Sequence, residues 1–320
     1  MSAASGLDAE EARIRAARQQ DTSALVDLWA TVFTPPLQPD QWLIDDQREA
    51  HTLVAVDEHG VCGSIYGLPK RLRESDGAVA AVHCIGSVAV APRARGRGLA
   101  RRLVAASLAA AAAADWALLF TGTPDVYRSS GFETFGMQRS LTGPWAAGDA
   151  AGGLPEVVRA SMRRGCLAEV RRVYERSRSG TVLTPVRDDG DWAMAEVRFA
   201  GARLYLCRTG GEVLGYAVAR TIPTPGGPTG VIDEVAVDPG SPGSVWTALF
   251  DAITADWAWA GVAECDIAAP VADDASPQTL ALSAFAPDAV RVRDDTGMTR
   301  RLRRTPRIDG IRHFTAGDYF

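Results

Sequence analysis

The segment Ile85–Ala100, IGSVAVAPRARGRGLA, places arginines and glycines at a spacing suited to holding phosphate. Its alternating residues stop at Pro92 and predict a strand; two glycines follow, and a helix then begins. At a strand-to-helix junction the first helical N–H groups have no intrahelical partner and carry partial positive charge. Gly96 and Gly98 let a bulky anion approach the backbone, and Arg93, Arg95 and Arg97 add charge. The physical reading is a pyrophosphate cradle. A dinucleotide fingerprint would need a third glycine at position 101, where Arg101 stands, and the Gly-Lys-Ser/Thr of a Walker loop is missing too.

The pattern V-x-V-x-P-R-x-x-G-x-G-x-A resembles the acetyl-CoA motif of the GCN5-related N-acetyltransferase (GNAT) superfamily. That resemblance implies acetyl-CoA as cofactor, with Arg93, Gly96 and Gly98 at its pyrophosphate. It implies pairing of Val88, Ala89 and Val90 with the pantetheine arm. Arg95, Arg97, Leu99, Ala100 and Arg101 complete the cradle. The plain alternative is an ordinary strand–turn–helix with exposed arginines. Downstream, Tyr127-Arg128-Ser129-Ser130-Gly131-Phe132 resembles the Y-x-x-x-G-[FY] of many GNATs. The resemblance makes Tyr127 the general acid that protonates the departing thiolate. A phenol suits that role because its pKa of about 10 exceeds a thiol's, about 8.5. A packing tyrosine is the plain alternative.

Many members of the superfamily place a glutamate base where this chain has Ser87, and serine cannot act as a base. His83 lies four residues earlier on the same strand face and is an alternative base through water, although a satisfied strand histidine explains it as well. Two tandem GNAT-like units and an acid tyrosine also resemble the enhanced-intracellular-survival (Eis) acetyltransferases. That resemblance implies the chain's own terminal carboxylate as base, here Phe320 after Asp318-Tyr319. A frayed terminus is the alternative. The third, sterol-carrier-like domain of that family has no room in these residues.

Around these groups the sequence predicts a short strand at Ala12–Ala16. A helix follows, capped by Asp21 and carrying Leu25, Leu28, Trp29 and Val32. Three prolines in residues 33–42 stop that helix. Strands are expected at His51–Val56, Gly60–Gly67 and Ala78–Val90, then a helix over Leu99–Ala114 and a strand at Trp116–Thr121. Pro124–Ser130 reads as a short helix or turn. The second half repeats the first faintly: Val88-Ala89-Val90-Ala91-Pro92 is echoed by Val235-Ala236-Val237-Asp238-Pro239. A helix over Val245–Ala260 and a strand at Ala263–Ala268 follow in the same order.

The expected fold is α/β (α+β), with two tandem GNAT-like domains, each a twisted mixed, mainly antiparallel sheet flanked by helices. Residues 1–144 form the catalytic domain and 145–154 a linker. Residues 155–304 form a degenerate copy, and 305–320 a tail reaching the active site. The copy has Gly240 where the first half has Arg93, and Val245 where it has Gly98. A single cofactor site is therefore expected, and Glu234, at the family's base position in the copy, reads as a sheet residue.

The GNAT resemblance implies an acceptor opposite the cofactor, lined by the loop after the first helix, Phe33–Trp42, with Phe33 and Trp42 covering its apolar part; core packing is the alternative for both. A net charge of −5 argues against nucleic acid and favours a cationic amine. No stretch approaches the roughly 20 apolar residues of a membrane span, and the N-terminus lacks a secretory apolar core. A cytoplasmic location is expected. Five scattered cysteines and four histidines show no ligand spacing, so no metal is expected. The reaction expected is direct attack of a primary amine of a small cationic molecule (aminoglycoside-like, polyamine or another amine metabolite) on acetyl-CoA. Protein or peptide N-acetylation is the second reading, and a non-catalytic acyl-CoA-binding module the third. Homo-oligomers through exposed sheet edges stay open.

Overall fold

The computed structural model describes residues 11–146, 153–162, 167–269 and 275–320. The first half opens with β1 (Arg13–Ala16), α1 (Thr22–Val32), α2 (Asp40–Ile44) and α3 (Arg48–His51). Three antiparallel strands follow: β2 (Thr52–Asp57), β3 (Gly60–Arg73) and β4 (Val79–Val90). Then come α4 (Leu99–Ala110), β5 (Trp116–Phe120), α5 (Asp125–Arg128) and β6 (Glu133–Pro144). The second half repeats this order. It has β7 (Glu156–Ala160), α6 (Leu167–Ser177), α7 (Asp189–Arg198), β8 (Arg203–Thr209), β9 (Glu212–Thr224) and β10 (Gly227–Val237). It closes with α8 (Ser244–Trp259), β11 (Glu264–Ile267), α9 (Pro277–Phe285) and β12 (Val290–Arg301).

Local chemistry explains the pieces around the cradle. Leu99, Leu103, Val104 and Leu108 form one apolar stripe of α4, and all four are buried against the sheet. Gly60, at φ 97°, closes the β2–β3 turn in a conformation that side chains disfavour. Asp21 precedes α1, but its carboxylate does not cap the helix as expected. It accepts instead from Arg15 at 2.6 Å and from the Arg18 N–H at 2.8 Å, because a guanidinium nearby competes with the helix amides.

In each half a helix crosses between parallel strands, α4 between β4 and β5, and α8 between β10 and β11. The halves nevertheless share one sheet, ordered β1-β2-β3-β4-β5-β12-β6-β11-β10-β9-β8-β7. The last strand of each half has crossed over: β12 lies beside β5, and β6 lies beside β11. Phe135 of β6 packs over Gly297 of β12 so closely that a β-carbon there would overlap its ring. Most of the segment expected as a linker, residues 147–152, lies outside the described residues. The tail then runs back between the halves. Ser75 N–H bonds to Arg307 O at 2.9 Å, His313 N–H to Val182 O at 3.0 Å, and Phe314 joins the first-half core.

Candidate active site

The site begins where two parallel strands separate. β4 and β5 pair from Val82 opposite Trp116 to Ile85 opposite Leu119, and the ladder stops there. Just beyond, Ser87 adopts φ 50°, a left-handed conformation that costs a serine about 1 kcal/mol. The register with β3 slips at the same place. Trp29 Nε1 donates to Ser64 Oγ at 3.0 Å, and Ser64 Oγ donates to Ser87 O at 3.2 Å, which ties down the bulge. Ala91 N–H points into the sheet, to Cys62 O at 2.9 Å. By alternation along a strand, Val88–Val90 thus turns the N–H groups of Val88 and Val90 to the open side.

That side leads to the cradle. Gly98, at φ 69° and ψ 13°, caps the N-terminus of α4. A cleft of about 550 Å³ lies over it, lined by Val90, Arg95, Gly96, Gly98, Leu99, Ala100 and Arg101, with Asp125, Val126 and Ser129 of α5 opposite. Arg95 is braced by a bond from Nε to Val90 O at 3.2 Å. An anionic group fits here: free first-turn amides and two guanidiniums converge, and a β-carbon on Gly96 would meet nothing within 4 Å. Two expected contributors stand elsewhere. Arg93 is ion-paired with Asp57 at the end of β2, which draws it off the cleft. Arg97 borders a separate hollow with Glu11, Asp57 and Arg102. The cationic side chains on the cleft are Arg95 and Arg101.

Tyr127 sits on α5, between the cleft residues Val126 and Ser129. It is 8% exposed, and its ring meets Phe132 edge-on at 6.2 Å. Burial raises its phenol above the ordinary value, against a hydrogen bond to Thr121 that lowers it. The group stays protonated at neutral pH.

The tail ends in the gap between β4 and β5. A β-carbon on Gly86 would lie 3.0 Å from the Phe320 main-chain oxygen and 3.5 Å from its carbonyl carbon. An aromatic cluster holds this end in place, with Phe120 5.0 Å from Tyr319, 6.2 Å from Phe320 and 5.2 Å from Phe314. His83 lies away from the gap, on the α4 side of the sheet. Its Nε2 is 2.8 Å from Ser107 Oγ, and burial pulls it down to about 4.

A second cleft, of about 580 Å³, lies between the halves on the tail's other flank. Its walls are Pro35–Gln38, Asp40 and Gln41, with Arg139, Ser140, Arg198, Arg220, Asp233, Asp266 and Tyr319. Neither Phe33 nor Trp42 lines it. Trp42 is 4% exposed, donates from Nε1 to Thr52 Oγ1 at 2.8 Å and packs on Trp29, so the indole belongs to the core. Phe33 packs against the same core. Sequence reasoning missed Asp233, which lies at a register shift of β10 and is 3% exposed. One of its oxygens accepts from Arg220 at 2.7 Å; the other, Oδ2, has no protein partner. Burial pushes it up to about 6. Two adjacent acids inside an apolar strand, Val231-Ile232-Asp233-Glu234-Val235, were its only signal.

Among the described residues, no group of three or more His, Cys, Asp or Glu side chains is placed to hold a metal ion. No helix there is long and apolar enough to cross a membrane.

Residues 13–135 match the acetyltransferase (GNAT) domain family. Among solved structures, a GCN5-related N-acetyltransferase from Anabaena variabilis superposes with TM-score 0.75 at 17% identity, covering 91% of this chain and 73% of that one. A probable N-acyltransferase from Enterococcus faecalis gives 0.71 at 19% identity, with coverages of 91% and 73%. Eis1 from Mycobacterium abscessus gives 0.64 at 16% identity, again with 91% and 73%. At these identities the likeness establishes the fold. No curated protein sequence matches the chain.

Proposed function

Residues 13–135 form an acetyltransferase (GNAT) domain, and on that premise we propose that this acyltransferase moves acetyl from acetyl-CoA to a primary amine by direct attack. The observation that carries the reading is the open edge of β4 running into the Gly98-capped N-terminus of α4. Anion binding at such a terminus combines free amides with the helix dipole.

Acetyl-CoA supplies an activated thioester. The amides of Gly96–Arg101 with Arg95 and Arg101 hold its pyrophosphate, and the Val88–Val90 edge orients the pantetheine arm. The Val90 N–H polarises the thioester carbonyl. The Phe320 carboxylate takes the proton of the acceptor ammonium, and the freed amine nitrogen bonds to the acetyl carbon. As the C–S bond breaks, Tyr127 gives its phenol proton to the sulfur. Holding both reactants in one site supplies much of the acceleration.

The acceptor is read as a small cationic amine entering the second cleft, where Asp40, Asp233 and Asp266 offer negative charge and Asp233 Oδ2 lacks a protein partner. Arg139 and Arg198 on the same walls favour a second reading, an amine that also carries a carboxylate or phosphate.

The test is thiol release from acetyl-CoA over a panel of polyamines, aminoglycosides, amino acids and peptides. Amine-dependent release supports transfer, and the preferred class names the acceptor. Binding of acetyl-CoA without release on any amine would favour a non-catalytic acyl-CoA-binding module. Deleting Phe320 should reduce turnover severely in a chain that still folds; full activity would remove it as the base.

A further inference from the structure

Between the halves lies a cluster of charge that the chemistry above leaves unused. The side chains of Arg187, Glu234 and Asp318 are fully buried. Arg187 donates to Asp318 Oδ1 from Nε at 3.0 Å and from Nη2 at 2.6 Å, and to Glu234 Oε1 from Nη1 at 3.2 Å. Its guanidinium stands 4.0 Å from the Tyr174 ring centre and 4.7 Å from that of Trp192. Other donors complete both carboxylates. The Tyr216 hydroxyl donates to Glu234 Oε1 at 2.6 Å, the Thr315 hydroxyl to Glu234 Oε2 at 2.8 Å, and the Thr315 N–H to Asp318 Oδ2 at 2.8 Å.

Apolar side chains of similar volume serve stability as well as a buried ion cluster, or better. What the cluster adds is a single placement for its members. Those members come from three parts of the chain: the segment before α7, the bulged stretch of β10, and the tail. Glu234 precedes Val235-Ala236-Val237 just as Ser87 precedes Val88-Ala89-Val90, each beside a register shift. Asp318 lies two residues before Phe320, so at most about 7 Å of chain separates the anchor from the last residue.

We propose that Arg187 and Glu234 are positioning residues for acetyl transfer: Glu234 holds Arg187 and Thr315, Arg187 grips Asp318, and together they fix the Phe320 carboxylate against Gly86. The inference rests on the reading of Phe320 as base. Neither residue touches a reacting atom. The second half, whose own cradle is lost, thereby sets the geometry of the first half's chemistry.

The test is the triple variant R187M/E234Q/D318N, which removes the three charges and leaves side-chain oxygens to accept from Tyr216 and Thr315. It should keep the acetyl-CoA KM within about twofold, while kcat falls at least about tenfold. Carboxypeptidase should release Phe320 faster than from the parent. A folded triple variant with parental kcat overturns the proposal. If the triple variant does not fold, D318N carries the same test, and parental kcat in D318N overturns it equally. Deletion of Phe320 is measured alongside. A fully active deletion removes the base reading and this inference with it, whereas an inactive deletion beside a fully active triple variant overturns only the positioning role.

Discussion

Phe320 and Gly86 meet so closely that a single added carbon would separate them. A β-carbon on Gly86 would lie 3.0 Å from the Phe320 oxygen, tighter than ordinary packing, in the gap left by β4 and β5. G86A should therefore displace the end of the tail without disturbing the strand ladder. The expected outcome is a kcat lower by about tenfold, with little change in acetyl-CoA KM or melting temperature. Steady-state kinetics and a thermal melt check it. Parental kcat in G86A would show that the contact has no part in turnover.

Tyr127→Phe removes the phenolic proton and keeps the ring on Phe132. Loss of a general acid should lower kcat by roughly 10²–10⁴-fold. The stability change should stay at about 1 kcal/mol, because the ring and its packing are kept. Thiol-release rates beside denaturant unfolding separate the two effects.

His83 gives a prediction for pH and stability. Burial holds its imidazole at about 4, against an ordinary 6.5. Between those values the unfolded chain binds a proton that the folded chain refuses. Its contribution is therefore complete above pH about 6.5 and is lost as the pH falls towards 4, by about 3 kcal/mol in full. Urea unfolding at pH 7 and pH 4.5 should show a steeper loss in the parent than in H83Q. Equal losses would contradict the buried neutral imidazole.

The exchange of β6 and β12 makes the halves interdependent. Without β12, β5 loses an entire neighbour, and Met298, fully buried against it, has no counterpart. Residues 1–144 expressed alone should be unfolded or aggregated, because an unpaired hydrophobic edge strand is a pairing template. The full chain should melt in one calorimetric transition. Two separable transitions would show that each half stands by itself.

The parts legible in the sequence were those fixed by near neighbours. The strand into Pro92, the glycines after it and the apolar stripe of α4 each follow from residues a few positions apart. What escaped was set across the sheet. Arg93 faces an aspartate 36 residues away, which no local pattern announces. Trp42 falls in the loop that the family resemblance assigns to the acceptor, yet its N–H finds Thr52 and its ring finds Trp29. The exchanged strands were invisible because alternation marks a strand without naming its neighbour. Glu234 was read as a sheet residue, and only the folded tail reveals the ions that surround it.

The chain is proposed to hold a single acyl-CoA, on Gly98 in the first half. The second half has Gly240 at φ 87°, and Val245, fully buried, packs over Gly215 where a β-carbon would lie 2.9 Å from its Cγ1. Calorimetric titration with acetyl-CoA counts the sites, on the parent and on G98V, whose valine is disfavoured at φ 69°. The parent should bind one equivalent, and affinity should weaken at least about tenfold in a folded G98V. Two equivalents per chain, or parental affinity in G98V, would contradict it.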